Sequence, residues 1–196
     1  MSDVPFDGDD ETNTPLTPEE REQLIPAYIS FRSELNQAEQ ANIADGSGWF
    51  TLRKRDVLDQ LLLIELHKRM FGQVWRWAGS YRTTARNIGI DAYGIQIEMR
   101  KAVDDARYWV EAEKYSPDEI AVRFSHRVVE IHPFPNGNGR FSRLVGDMLA
   151  IQLGQPAFTW GSANLVDVNE TRRRYLAALK AADAYDIGPL LAFARS

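Results

Sequence analysis

The segment HPFPNGNGRFSR, residues 132–143, lies between two apolar stretches with helical periodicity and constrains the fold more than any other part of the chain. Proline disfavours the α conformation in the residue before it, so the preceding helix should end at or just before His132. Gly137 and Gly139 allow backbone conformations that other residues avoid, and a second helix follows them directly. The segment therefore predicts a tight loop between two helices, with a histidine at its first end.

The residues of this loop are typical of an anion-binding site. Backbone N–H groups of a Gly-Asn-Gly turn can converge on one point, and the free N–H groups of the next helix face the same point. Arg140 and Arg143 lie on one face of the first turn, where a cation opposes the helix dipole, and the loop has no acidic residue to neutralise them. A polyphosphate would explain both arginines, with His132 at its edge as a general base. Each of these residues taken singly also fits a structural role.

The rest of the chain has mostly helical patterns. Periodicity and capping sequences, such as SPDE at 116–119, predict helices over 27–44, 52–70, 98–114, 117–131, 140–153, 168–184 and 187–195. Residues 82–97 alternate polar and β-branched side chains around glycines, which favours a short β-hairpin flap. We therefore expect a mostly α fold with one short β excursion.

Charge is distributed unevenly along the 196 residues. Residues 1–22 contain eight acidic residues and one arginine, a net charge of −7, whereas the other 174 residues carry 22 basic and 20 acidic residues, a net charge of +2. Residues 1–16, acidic and rich in Pro, Gly and Thr, are predicted to form a disordered tail, and residues 17–196 a single domain. A body this close to neutral lacks the dense basic face of a nucleic-acid-binding protein.

Composition argues against several other classes of protein. The chain has no cysteine and so forms neither disulfides nor thiolate metal sites, which is typical of the reducing cytosol. The longest aliphatic run, Leu61–Ile64, is too short to span a bilayer, and the N-terminus lacks the pattern of a secretory signal. His67 and His126 fit core or surface positions of helices and lack the spacing of a transition-metal site. We expect a cytoplasmic protein without a membrane segment.

The loop closely resembles the signature of the Fic/Doc family, H-x-F-x-[D/E]-G-N-G-R-x-x-R. Two further segments are similar to the family: VWRWAGSYRTTARNIG at 74–89, before the flap, and RRRYLAALKAADAYDIGPLLAF at 172–193, in the closing helices. The resemblance spans roughly residues 20–195, and within the family it is strongest to a small group called mobile mystery protein B. It implies a Fic-type helical domain.

Members of this family typically transfer AMP from ATP to a Ser, Thr or Tyr hydroxyl of a target protein. The resemblance implies that His132 is the general base and that Phe134 packs the loop into the core. It implies that the ATP phosphates bind the loop and the turn after it, at Gly137, Asn138, Gly139, Arg140 and Arg143. The flap, within 83–97, would hold the target segment by β-strand addition, with Ile95 and Ile97 as clamping residues.

Two positions depart from the family pattern. Asn136 stands where the family has the Asp or Glu that binds Mg²⁺, and a neutral amide lacks the charge of a carboxylate. Weaker Mg²⁺ dependence, a different donor or an inactive binder would each follow from this change. The segment SFRSELN resembles the family's inhibitory helix, [S/T]-x-x-x-E-[G/N], with Ser30 and Glu34 but without the final Gly or Asn. It implies that Glu34 pairs with Arg143, and Glu39 is a rival for this role.

Three functions follow as hypotheses. The first is a protein adenylyltransferase that uses ATP with Mg²⁺ and is autoinhibited by an N-terminal helix. The second is another phosphoryl-type transfer, such as phosphorylation or phosphocholine transfer, although the retained G-N-G core favours AMP. The third is a non-catalytic module that binds a nucleotide or a regulatory partner, for example within a toxin–antitoxin-like pair. Asn136 keeps the third hypothesis open, whereas His132 argues against it because binding alone needs no base.

Overall fold

The computed structural model describes residues 18–53, 55–162 and 168–196, so the predicted acidic tail, residues 1–16, lies outside the described residues. Within these ranges the chain forms no β-strand, and an isolated antiparallel bridge joins Leu24 to Trp75. The helices are α1 (Pro18–Arg21), α2 (Arg32–Thr51), α3 (Gln60–Phe71), α4 (Ile95–Glu111), α5 (Pro117–Ile131), α6 (Asn138–Gln152), α7 (Val168–Asp183) and α8 (Gly188–Ala194), with a 3₁₀ turn over Ala92–Gly94. The prediction of a mostly α fold is confirmed. None of the described helices combines the length and the apolar character that crossing a membrane requires.

The centre of the core is the pair formed by α5 and α6, which pack against each other. Phe124 of α5 and Phe141 of α6 are fully buried, and the Ser125 hydroxyl donates a hydrogen bond to the Ser142 carbonyl across the pair at 2.8 Å. Around this pair, α2 packs on α3, α4 on α5, and α7 on α8. Because residues 132–137 connect the two central helices, the loop is anchored in the core at both ends.

Several helix boundaries differ from the predicted ones, and two of these differences have a clear cause. The helix α2 continues through Gly46 and Gly48 instead of ending there. A Cβ at Gly46 would lie 2.9 Å from the backbone N of Met70, so this glycine lets α2 and α3 approach closely and does not act as a stop signal. The helix α3 starts later than predicted, after Asp59, whose Oδ1 accepts hydrogen bonds from the N–H groups of residues 61 and 62 at 2.8 and 3.2 Å.

The predicted β-hairpin flap is not present in the described part of the chain. Residues 82–91 form a loop that leads through the 3₁₀ turn into α4, and the Asp91 side chain caps this turn by accepting a hydrogen bond from the Tyr93 N–H at 2.9 Å. Ile95, predicted as a clamp for the target, is only 1% exposed and belongs to the core. Ile97 is 59% exposed on α4, and its role as a clamp stays a prediction.

Candidate functional site

His132 ends α5 and begins the loop. Its φ of 53° and ψ of 60° place it in the left-handed region that non-glycine residues rarely adopt. Its N–H donates to the Val128 carbonyl at 3.3 Å, and its carbonyl accepts a hydrogen bond from Arg82 Nε at 2.6 Å. Gly89 passes so close that a Cβ there would lie 2.5 Å from the Cβ of His132. Tertiary contacts therefore hold the histidine in a conformation that its own backbone disfavours.

The His132 side chain is neutral at physiological pH. It is buried, and this burial, together with the positive charges of Arg82 and Arg86, lowers its pKa to about 4 even though a hydrogen bond with the Val129 backbone acts in the opposite direction. A neutral imidazole has a nitrogen lone pair that can accept a proton. The ionisation state therefore suits a general base.

Asn138 closes the loop onto itself. Its Oδ1 accepts a hydrogen bond from the Phe134 N–H at 2.9 Å, and its Nδ2 donates to the Phe134 carbonyl at 2.8 Å. Both ends of this buried amide are thus engaged inside the loop, and the contact of its side chain with phosphate stays a prediction. Phe134, expected to pack the loop into the core, is fully buried.

His67 of α3 supports the loop from the core side, and the sequence did not single it out. Its ring stacks on Phe134 with a centroid separation of 3.6 Å. Its Nδ1 accepts a hydrogen bond from the Gly79 N–H at 3.0 Å, so the proton of the neutral ring is on Nε2, which donates to the Asn136 carbonyl at 3.3 Å. Complete burial lowers the pKa of His67 to about 3. The signal in the sequence was its spacing from Leu63, which placed it on the apolar face of α3.

The N-terminus of α6 has the features of an anion site. Gly137 has a φ of 79°, and a Cβ there would lie 2.6 Å from the Phe71 ring, so this position requires glycine. Around Gly139, the nearest neighbour of an added Cβ is Arg143 Nη1 at 3.8 Å, which leaves this side of the turn bare. The N–H groups of residues 138–140 belong to the first turn and have no acceptor within the helix. With the helix dipole, they favour a negatively charged ligand.

Both arginines of the signature, Arg140 and Arg143, contact other helices. Arg140 Nη1 forms an ion pair with Glu39 Oε2 of α2 at 2.7 Å, and Glu39 Oε1 accepts a hydrogen bond from Trp75 Nε1 at 2.7 Å. The Arg143 guanidinium lies over the Tyr175 ring of α7, 5.0 Å from its centroid. The helices α2 and α7 therefore border the predicted phosphate site.

The predicted inhibitory contact of Glu34 is not formed. Its Oε2 accepts hydrogen bonds from the N–H groups of Ser30 and Phe31 at 2.8 and 3.0 Å, which lowers the pKa of the carboxyl and caps the start of α2. No ion pair joins Glu34 to Arg143 in the ranges that the structure covers. A carboxylate in the first turn of a helix folds back onto the free N–H groups before it. Glu39, five residues further on, is the α2 carboxylate that reaches the signature loop.

The loop does not fit an ion held by protein carboxylates. Asn136 Oδ1 accepts a hydrogen bond from the neighbouring Gly137 N–H at 2.6 Å. Within the described residues, no group of three or more His, Cys, Asp or Glu side chains is arranged to hold a metal ion. Mg²⁺ prefers carboxylate and phosphate oxygens. Without a carboxylate in the loop, the phosphates of a nucleotide would have to supply most of the ligands of the ion.

The fold and the loop define a class of helical domain in which one short connection between two core helices carries both a candidate anion site and a buried neutral histidine. Comparison with known proteins is more specific. Residues 57–150, just under half of the chain, match the Fic/DOC family. The matched range contains α3, α4, α5 and the whole loop, whereas α2 and α7 lie outside it.

Curated relatives carry the name protein adenylyltransferase Fic. The protein from Drosophila grimshawi is 28% identical over 135 residues, which cover 67% of this chain and 26% of the relative. The protein from Nematostella vectensis is 27% identical over 135 residues, which cover 67% of this chain and 30% of the relative. The match therefore spans less than a third of the length of these relatives.

Solved structures share the fold at low sequence identity. The N-terminal Fic domain of a VirB-translocated Bep effector protein from Bartonella quintana has a TM-score of 0.68 at 17% identity, and the match covers 90% of this chain and 91% of that one. BepC from Bartonella tribocorum, solved with bound AMPPNP, has a TM-score of 0.67 at 16% identity, and the match covers 91% of this chain and 97% of that one.

Proposed function

We propose that this chain transfers AMP from ATP to a Ser, Thr or Tyr hydroxyl of a protein. The observation that carries the proposal is that one loop joins the buried, neutral His132 to the open N-terminus of α6. A base for a hydroxyl and a site for phosphate groups therefore lie on the same short connection. The relatives named protein adenylyltransferase and the AMPPNP-bound structure of BepC support a nucleotide as the ligand.

The proposal gives each step of the transfer to a residue or element of the loop. The phosphates of ATP bind at the N-terminus of α6, facing the N–H groups of residues 138–140 and the Arg143 guanidinium. The target hydroxyl attacks the α-phosphorus, a new O–P bond forms, the bond to the oxygen that bridges the α- and β-phosphates breaks, and pyrophosphate leaves. His132 takes the hydroxyl proton. The helix end and the arginine stabilise the charge that develops on pyrophosphate.

Mg²⁺ enters this proposal with the nucleotide. Asn136 offers one neutral side-chain oxygen, which already accepts a hydrogen bond from Gly137. We therefore assign the ion to the ATP phosphates and not to a site made by the protein, and none of the roles given to the protein residues depends on it.

Glu39 replaces Glu34 as the candidate inhibitory residue of α2. Its carboxylate neutralises Arg140, one of the two cations predicted to contact the phosphates, and Trp75 holds it in place from the other side. ATP phosphates and the Glu39 carboxylate would therefore compete for the same guanidinium. In this proposal the described conformation is a resting one, and displacement of Glu39 from Arg140 favours ATP binding.

A second candidate is a non-catalytic module that binds a nucleotide or a regulatory, antitoxin-like partner. The observation that favours it is the pairing of Arg140 with Glu39, together with the absence of a carboxylate at Asn136. Phosphorylation or phosphocholine transfer at the same site is the remaining alternative. The identity of the target protein and a cytoplasmic location stay predictions from the sequence.

The function is tested with ATP labelled on either the α- or the γ-phosphate, incubated with Mg²⁺, cell lysate and purified protein. We expect protein to be labelled from the α position alone, more strongly with Glu39→Gln than with the wild type, and not with Glu39→Gln/His132→Ala. His126→Ala is the matched control, because His126 pairs with Asp183 at 2.8 Å and lies outside the loop.

Label that arrives from the γ position would indicate phosphorylation. Binding of ATP without any transfer, unchanged by His132→Ala, would instead support the non-catalytic module.

A further inference from the structure

Arg82 is a buried cation that binds backbone carbonyls. It is 2% exposed and forms no ion pair among the described residues. Its guanidinium donates to four carbonyl oxygens: Nε to His132 at 2.6 Å, Nη1 to Thr84 at 2.9 Å, and Nη2 to Ile90 at 2.5 Å and Ile131 at 3.4 Å. A buried charge without a carboxylate is costly unless its donors are satisfied, and here the backbone satisfies them.

The four acceptors lie on two different segments. The carbonyls of Ile131 and His132 lie at the end of α5. The carbonyls of Thr84 and Ile90 lie in the loop 82–91, which covers His132 and is called the covering loop below. The backbone continues the same connection, since the Arg82 N–H donates to the Pro133 carbonyl at 2.9 Å and the Ile90 N–H to the Ile131 carbonyl at 3.4 Å. Arg82 is therefore the side chain that joins the covering loop to the turn at His132.

We propose that Arg82 is a positioning residue that fixes the left-handed backbone of His132 and thereby aims its imidazole at the reacting hydroxyl. The proposal rests on the role of His132 as the base in the proposed transfer. The left-handed conformation is unfavourable for histidine and persists only where its surroundings enforce it. A planar guanidinium can serve several acceptors in fixed directions, whereas the ammonium of lysine cannot reproduce this fork.

Gly89 completes the same contact from the covering loop. Its φ is 88°, and a Cβ there would lie 2.5 Å from the Cβ of His132 and 2.9 Å from Arg82 Nη2. An added methyl group would therefore push the histidine and the guanidinium apart. This position offers a second way to disturb the geometry while Arg82 itself is kept.

The charges around His132 come from two elements, the covering loop and α1. Arg82 and Arg86 of the covering loop face it, Asp91 of the same loop acts on Arg82, and Glu20 of α1 pairs with Arg86. Lysine at position 82 keeps the positive charge but loses the fork. A change in transfer with Arg82→Lys therefore reports on position more than on charge.

The test compares Arg82→Lys with a matched control, Arg107→Lys. Arg107 also binds a backbone carbonyl: its Nε and Nη2 donate to the Leu58 carbonyl at 2.9 and 2.6 Å. Neither bond involves the loop that carries His132. We expect Arg82→Lys to lower the rate of AMP transfer by about 10²-fold while ATP affinity stays unchanged, because a displacement of about 1 Å in a reacting group costs that much. Gly89→Ala should likewise lower the transfer rate without changing ATP affinity. Arg107→Lys should transfer AMP at the wild-type rate.

Full transfer by Arg82→Lys, or a parallel loss of ATP affinity and transfer, would overturn the proposal. NMR of the unliganded protein separates this failure from a failure of the proposed function. We expect Arg82→Lys, and not Arg107→Lys, to shift the His132 imidazole resonances and to speed hydrogen exchange at the Ile90 amide. If the resonances shift but the wild-type protein transfers no AMP, the proposed function is rejected and the positioning contact is retained. Unshifted resonances would reject the positioning contact. If Arg82→Lys does not fold, the same measurements on Gly89→Ala test the proposal.

Discussion

Asn136 is the single residue at which this chain departs most clearly from the family signature. Its neutral side chain accepts a hydrogen bond from Gly137 at 2.6 Å, while its carbonyl is held by His67. A carboxylate of the same size would keep this geometry and add the charge that Mg²⁺ prefers.

We therefore expect Asn136→Asp to lower the Mg²⁺ concentration for half-maximal transfer by about tenfold, the equivalent of about 1.4 kcal/mol. A Mg²⁺ titration of transfer from α-labelled ATP measures it. Asn87→Asp, which places the same charge at an exposed position of the covering loop, is the control. An unchanged Mg²⁺ requirement in Asn136→Asp would show that the side chain at position 136 does not contact the ion.

The two glycines of the loop are predicted to have different roles. Gly137→Ala forces a left-handed alanine whose Cβ meets the Phe71 ring at 2.6 Å, and it should lower the free energy of unfolding by about 2 kcal/mol or more. Gly139→Ala adds a methyl group on the open side of the helix, so it should leave folding stable but reduce ATP affinity about tenfold.

Urea unfolding and calorimetric titration with ATP separate the two effects. Equal losses of stability in both variants would show that Gly139 is also structural.

Among the helices, α2 carries two glutamates with different contacts. Glu39 binds Arg140 and Trp75, whereas Glu34 caps the start of its own helix. Glu39→Gln keeps an acceptor for Trp75 and removes the competing charge, so we expect ATP affinity to rise about tenfold. Glu34→Gln should leave ATP affinity unchanged and lower stability only slightly, because glutamine keeps the capping acceptor and loses the charge.

Calorimetric titration with ATP checks both variants. A higher ATP affinity in Glu34→Gln than in Glu39→Gln would restore the original assignment from the sequence.

The covering loop shows why one predicted element was wrong. Alternating polar and β-branched residues predicted a hairpin over 82–97, but a hairpin needs its backbone groups paired with each other. Here the carbonyls of Thr84 and Ile90 are bound by Arg82, and the Ile90 N–H is bound by Ile131. Long-range partners for these groups replaced the local pairing.

For the protein as a whole, two buried histidines and the partly buried Asp147 contribute to the pH dependence of stability. The pKa values of His67 and His132 are lowered to about 3 and about 4, so below pH 6.5 the unfolded chain binds protons that the folded protein does not, and stability falls as the pH drops. Burial raises the pKa of Asp147 to about 6 despite hydrogen bonds from Trp160 and Phe158. The folded protein therefore holds this proton more tightly, and the stability from Asp147 is lost as the pH rises through 6.

We expect Asp147→Asn to raise the free energy of unfolding near neutral pH by about 1 kcal/mol and to give no gain near pH 4, where Asp147 is already protonated in the fold. Urea unfolding across this range measures the difference. Asp104→Asn, at an exposed position of α4, should show no such dependence. A gain for Asp147→Asn that is equal at both ends of the range would contradict the raised pKa.

The residues of the signature and the spans of the best-capped helices followed from local rules. The helix over 117–131 matches its predicted bounds because its N-cap, its proline and the proline after His132 act within a few residues. The same rules placed a histidine at the end of one helix and an anion site at the start of the next.

The partners of these residues depended on the tertiary structure. Glu39 and Arg140 are 101 positions apart, His67 and Asn136 are 69 apart, and Arg82 lies 50 positions before the His132 carbonyl that it binds. Helical periodicity indicates which face of a helix is buried, but not which residue of a distant segment it meets. The loop and its chemistry were therefore readable along the chain, whereas the contacts that hold His132, neutralise Arg140 and support Asn136 arise only when α2, α3 and the covering loop pack around it.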